Sequence, residues 1–143
     1  MTAIANEATV GLANGPLVAP ILGRVVGMLT ARADCPIDRL DDALLVADAI
    51  SAKAGSFSED GRVNVRVRAQ AGSVELEVGP LRPGGAEELI ASAALPGVGN
   101  VLERVADVLD PQDRDGGGDF LVIRLGFDAQ GPPTSERLQS DGT

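Results

Sequence analysis

The chain has 143 residues, 44% of them hydrophobic and 23% charged, enough for one domain with a real core. Its formal net charge of -9, with no long basic run, argues against nucleic acid or an anionic membrane as its partner. The absence of histidine and the presence of one cysteine, Cys35, exclude His-type zinc sites, His general bases, a Cys–His pair and any internal disulfide.

In chain order, Ala8 to Ala13 alternate weakly and predict a first strand. Asn14-Gly15-Pro16 marks a turn, and Leu17 to Arg32 predict a helix. Its apolar positions (Leu17, Val18, Ile21, Leu22, Val25, Val26, Met28, Leu29) are more than one stripe needs, so burial on more than one side or a partner contact is expected. Pro20 falls in the first turn, where its missing N–H costs little. Asp34-Cys35-Pro36 ends the pattern, and Pro36 suits the start of the next helix. Cys35 at such a start has either a lowered pKa or the plain role of a small apolar residue, and the second reading is preferred.

Ile37 to Gly55, IDRLDDALLVADAISAKAG, predict an amphipathic helix with Ile37, Leu40, Leu44, Ala47, Ile50 and Ala54 inward. Asp48 and Ala52 lie one turn apart at the edge of that face. After the polar loop SFSEDGR, two alternating runs predict a hairpin: Val63, Val65, Val67 and then Val74, Leu76, Val78 on the packed face. Arg66, Arg68, Glu75 and Glu77 belong to the wet face. A two-residue loop at Gln70-Ala71 sets Val67 opposite Val74 and Arg66 opposite Glu75.

GPLRPGG, residues 79–85, is irregular, and Ala86 to Ala93 predict a short helix. Pro96-Gly97-Val98-Gly99 is a turn, followed by a helix from Asn100 to Leu109. Asp110 to Asp119 read as an exposed loop, Phe120 to Phe127 as a strand buried on nearly both faces, and residues 131–143 as a polar tail. The order β-α-α-β-β-(α)-α-β predicts an α+β two-layer sandwich, a mostly antiparallel sheet with helices on one face, in one domain spanning residues 1–130.

Helix 37–55, the element order and the two Gly turns together resemble the anti-sigma factor/switch serine kinases of the GHKL (histidine-kinase-like) ATPases. The resemblance covers roughly residues 8–127 and implies a Bergerat-type ATP-binding fold. In that family the helix carries an acid and, four residues later, a magnesium-holding Asn. Here those positions are Asp48 and Ala52, and a methyl group cannot coordinate a metal. The first Gly box, Asp-x-Gly-x-Gly, matches Pro80-Leu81-Arg82-Pro83-Gly84, so the adenine acceptor is a proline and only Gly84 remains. The second matches Gly97-Val98-Gly99, a pattern that also suits an ordinary helix entry.

The resemblance therefore implies a vestigial nucleotide site (Asp48, Gly84, Gly97, Gly99), no catalytic residue and no cofactor, and regulation by protein contact. The alternative is an active ATP- and magnesium-dependent serine/threonine kinase with unusual boxes. The implied partners are a sigma factor, an anti-sigma-factor antagonist or a second copy of the chain. They would meet helix 17–32 around Arg24, Gly27 and Met28. For Arg24 the competing reading is a surface arginine whose stem covers apolar neighbours. Asp110, Asp113, Asp115 and Asp119 make only a fragment of a calcium loop, without the bidentate Glu, so no metal site is expected. No signal-peptide pattern opens the chain and no apolar run approaches the roughly 20 residues of a membrane span, so a cytoplasmic protein is expected.

Overall fold

The computed structural model describes residues 6–128. The expected tail, residues 131–143, lies outside them, as do residues 1–5 and 129–130 of the expected domain. The alternating valine runs form the middle of the sheet: β2 (Arg62–Gln70) and β3 (Ser73–Leu81) pair antiparallel. Val63, Val65, Val67, Val74, Leu76 and Val78 are all buried. The hairpin register differs from the expected one by two residues. Gln70 pairs with Ser73, Val67 faces Leu76 and Arg66 faces Glu77, so the turn residues are Ala71 and Gly72. Gly72 has φ +91, a left-handed conformation that a glycine adopts without steric cost. A shift of two residues keeps every side chain on its expected face.

The sheet order is β1-β2-β3-β7-β6, each neighbouring pair antiparallel. The first strand, β1 (Asn6–Ala13), lies on one edge beside β2. The last, β7 (Gly118–Gly126), lies between β3 and β6 (Val108–Arg114). Leu121, Ile123 and Leu125 of β7 point into the core, while Val122 is nearly covered on the opposite face and Arg124 is exposed. Helix α1 (Val18–Arg32) packs on β1 and β2, and α2 (Ile37–Phe57) on α1, β2 and β3. Helix α3 (Gly85–Ser92) packs on α2 and β7. A two-residue pair, β4 (Ala94–Leu95) and β5 (Gly99–Asn100), leads into α4 (Val101–Val105). The result is the expected α+β sandwich.

Further expectations are corrected. The helix from Asn100 to Leu109 is only five residues long. Asn100 caps it, its Oδ1 accepting from the Glu103 N–H at 3.1 Å, and the chain then extends into β6. The supposed loop from Asp110 is mostly that strand. As an edge strand it donates its ladder bonds on one side only, so Pro111 and the aspartates are tolerated. The inward face of the second long helix also differs, and the first is not buried on more than one side. Helix α1 buries a single stripe, Val18, Leu22, Val26 and Thr30, with the Thr30 hydroxyl satisfied by the Val26 carbonyl at 2.7 Å. Helix α2 buries Ala43, Val46, Ala47, Ile50 and Ala54, and leaves Ile37 73% and Leu44 36% exposed. It also runs two residues past Gly55, to Phe57.

Candidate functional site

The uncovered sides of α1 and α2 are the most distinctive surface. On α1, Leu17 (61% exposed), Ile21, Arg24 and Met28 (56%) follow one another at intervals of three and four, a continuous stripe. Arg24 has no ion-pair or hydrogen-bond partner among the described residues. Gly27 is half-buried: a Cβ there would lie 3.9 Å from Leu44 Cδ2, so this glycine seats α1 against α2. Arg24 and Met28 thus face solvent, while Gly27 lies toward the neighbouring helix.

Beside the stripe, a groove of about 500 Å³ runs between α1 and α2. It is lined by Ala19, Gly23, Asp41, Leu44, Leu45 and Asp48. Leu45 also borders a second hollow of about 390 Å³, shared with Asp42, Val98, Val101, Arg104 and Val105. The sequence reading missed Asp41 and Leu45. Their signal is the symmetric spacing Asp41-x2-Leu44-Leu45-x2-Asp48, which assigning Leu44 to the core conceals.

The positions matched to the nucleotide site are Asp48 on α2, Gly84 just before α3, and Gly97 and Gly99 in the β4–β5 turn. Asp48 is exposed and lines the α1–α2 groove, which includes none of Gly84, Gly97 or Gly99. Ala52, one turn on, is an exposed methyl. Gly84 sits in the left-handed region at φ +79 as the residue before α3, and its N–H is already donated to Asp119 Oδ2 at 2.8 Å. Gly97 (φ +76) and Gly99 (φ +95) shape the tight β4–β5 turn, where Arg104 donates to the Val98 carbonyl at 2.9 Å. Arg82, which stands where the first Gly box has a glycine, closes the end of α2. Its backbone N–H donates to the Phe57 carbonyl at 2.8 Å, its guanidinium lies 5.4 Å over the Phe57 ring, and it bonds the Ser56 carbonyl and Glu88. Ala52 thus offers no metal ligand, the Gly84 amide is committed to Asp119, and the Arg82 guanidinium is held against Phe57, Ser56 and Glu88.

The opposite face of the sheet is a paired charge surface. Glu7, Arg68, Glu75 and Arg124 succeed one another across four strands. One row over, Glu77 accepts from Arg66 (3.1 Å) and from Arg114 (3.1 and 3.2 Å), and Arg114 also stacks 4.1 Å over the Phe120 ring. The hydrogen bonds from Arg114, and then those from Arg66, hold the Glu77 carboxyl below the usual carboxylate range against the effect of partial burial. Cys35 is half-buried, and burial pushes its thiol pKa up, the opposite of an activated cysteine; nearby Arg39 only partly offsets this. Among the described residues no group of three or more acidic, cysteine or histidine side chains is placed to hold a metal, and no helix is long and apolar enough to cross a membrane. In comparisons with known proteins, no family model matches the chain and no curated protein is found similar to it.

Proposed function

We propose that this chain is a regulatory protein-binding module, anti-sigma-factor-like, on a Bergerat-type scaffold whose nucleotide site is degenerate. The observation that carries the reading is the stripe of Leu17, Ile21 and Met28 around an unpartnered Arg24. Contiguous apolar surface of this kind, set with a charged residue, is typical of protein contacts. The insertion of α1 and α2 between β1 and β2, with α3 directly after the hairpin, supports the Bergerat-type assignment. The methyl at Ala52, where the resemblance expects a metal ligand, and the commitment of Arg82 to Phe57, Ser56 and Glu88 favour contact over catalysis. The partner class is a sigma factor or an anti-sigma-factor antagonist, met in the cytoplasm where sigma factors work, with self-association of the chain through the same stripe. Nucleic acid is disfavoured by the acidic helical side, and the sheet arginines 66, 114 and 124 are paired with glutamates.

The test is co-purification of the tagged chain with each sigma factor and antagonist of its own cell, as wild type and as Arg24→Glu. The expected result is one specific partner, lost in the variant, with the melting temperature changed by no more than about 3 °C, since exposed substitutions seldom cost over about 0.5 kcal/mol. Association that survives Arg24→Glu, or no partner among those proteins, overturns the reading.

A further inference from the structure

Resting on the reading of the chain as a protein-binding module, we propose that the α1–α2 groove is a docking site for one amphipathic helix of a partner protein. That helix carries two Lys or Arg residues seven apart, with two adjacent apolar residues between them. The groove floor is apolar: Leu44 and Leu45 of α2 against the small residues Ala19 and Gly23 of α1. Above Gly23 the space is open, for a Cβ there would meet nothing within 4 Å. A backbone therefore approaches closely at this point.

The two ends of the floor are acidic. Asp41 and Asp48 lie three residues outside the leucine pair on either side, roughly 10 Å apart along the helix axis. Neither has an ion-pair or hydrogen-bond partner among the described residues, and no cation lines the groove. The complement of acid, two spacers, two leucines, two spacers, acid is the same pattern with cations in place of acids. Its symmetry lets the incoming helix lie in either direction.

A second copy of the chain does not supply this pattern. Its own exposed stripe on α1 offers one cation, Arg24, between Ile21 and Met28, which leaves one of the two aspartates unmatched. Charge complementarity thus favours a different, basic partner helix over self-association at this groove.

The test uses the full chain and two synthetic helical peptides of identical composition. One has the pattern Lys-x2-Leu-Leu-x2-Lys, and the other has its lysines moved to the opposite face. Binding is followed by amide chemical shifts and fluorescence anisotropy. The patterned peptide is expected to perturb Gly23, Leu44 and Leu45, and to bind roughly tenfold more tightly than its isomer. Asp41→Asn with Asp48→Asn should weaken it by about tenfold at low salt. Gly23→Leu fills the groove from a helical position without positive φ, and should abolish binding while the dispersed spectrum of the folded chain persists. Equal binding of both peptides, absence of binding, or retention in Gly23→Leu overturns the proposal. Shifts confined to Leu17, Ile21 and Met28 overturn the groove assignment but leave the protein-binding reading standing. Self-association abolished by Gly23→Leu makes the occupant a second copy and overturns it too.

Discussion

Arg39 and Asp107, 68 residues apart, meet at 2.7 Å and together grip both polar groups of Gly126. Arg39 Nε donates to the Gly126 carbonyl at 3.0 Å, and the Gly126 N–H donates to Asp107 Oδ2 at 2.6 Å. The remaining guanidinium nitrogen bonds the Val105 carbonyl and Asp42, each at 2.9 Å. One side chain at the start of α2 therefore ties the end of α4 and the end of β7 to the helical layer. Replacing Arg39 by Met leaves the Val105 carbonyl without this donor and Asp107 without its cation. The expected loss is about 2–3 kcal/mol, read as a lower urea midpoint with an unchanged slope. Arg39→Lys should recover only part of it, since a single ammonium cannot span the four acceptors.

None of this clamp was legible in the sequence. Two of its acceptors are backbone carbonyls 66 and 87 residues away, and such groups leave no residue-type signal. The hairpin was legible because a period of two shows in valines and charges alike, but its register rested on the turn, and Gly72 was the overlooked signal. Helix α2 misled because ALLVA, residues 43–47, is apolar all round its axis. Only packing selects Ala43 and Val46 over Leu44. Strand β6 was hidden by Asp110, Pro111 and Asp113, which obscure alternation yet are acceptable on an edge. The stripe around Arg24 and Met28 could be read in advance because α1 has more apolar positions than one buried side accommodates.

Acid stability should depend on Glu77 and Asp107. Both carboxyls are held below their ordinary values of 4.5 and 3.8, Glu77 chiefly by Arg114 and Asp107 chiefly by the Gly126 N–H. A depressed folded-state pKa adds stability that is present above the unfolded value and lost as pH falls through the folded one. Acidification of a chain with net charge -9 also relieves self-repulsion, which works the other way. Glu77→Gln separates the two effects. Its stability deficit relative to wild type should be full at pH 7 and shrink toward zero below pH 4.5, measured by denaturant titrations across pH. A deficit independent of pH would mean that the Arg66–Glu77–Arg114 contacts contribute nothing through charge.

Two helical glycines should respond oppositely to alanine. At Gly23 the added methyl meets nothing, so only the helix-propensity gain remains, about 0.5–1 kcal/mol of added stability. At Gly55 the same methyl would overlap the Asn14 side chain, which crosses the buried end of α2. Asn14 is itself fixed by its N–H to the Gly61 carbonyl at 3.0 Å. Gly55→Ala should therefore lose roughly 1–3 kcal/mol despite better helix propensity. Thermal melts of the two variants decide it, and a stabilised Gly55→Ala would show that Asn14 swings aside freely.

The nucleotide prediction rests on how α2 and α3 meet. On the proposed reading, Ala52→Asn with Pro80→Asp places a metal ligand and an adenine acceptor where the resemblance expects them. It leaves the contacts of Arg82 in place. Arg82 still covers Phe57 and bonds Ser56 and Glu88, and a Cβ at Gly85 would already lie 3.0 Å from both the Phe57 carbonyl and Leu81 Cβ. The Gly84 amide, in the loop matched to the first Gly box, is taken by Asp119. Wild type and the double variant should both show no calorimetric heat with magnesium-ATP below about millimolar concentration, where binding is worth only roughly 4 kcal/mol. Adding Arg82→Gly and Asp119→Ala frees the loop and the amide, and is the smallest change expected to reveal weak binding. Micromolar affinity in the wild type, or phosphate transfer to a partner, would show that the loop opens in solution and that the chain is a kinase after all.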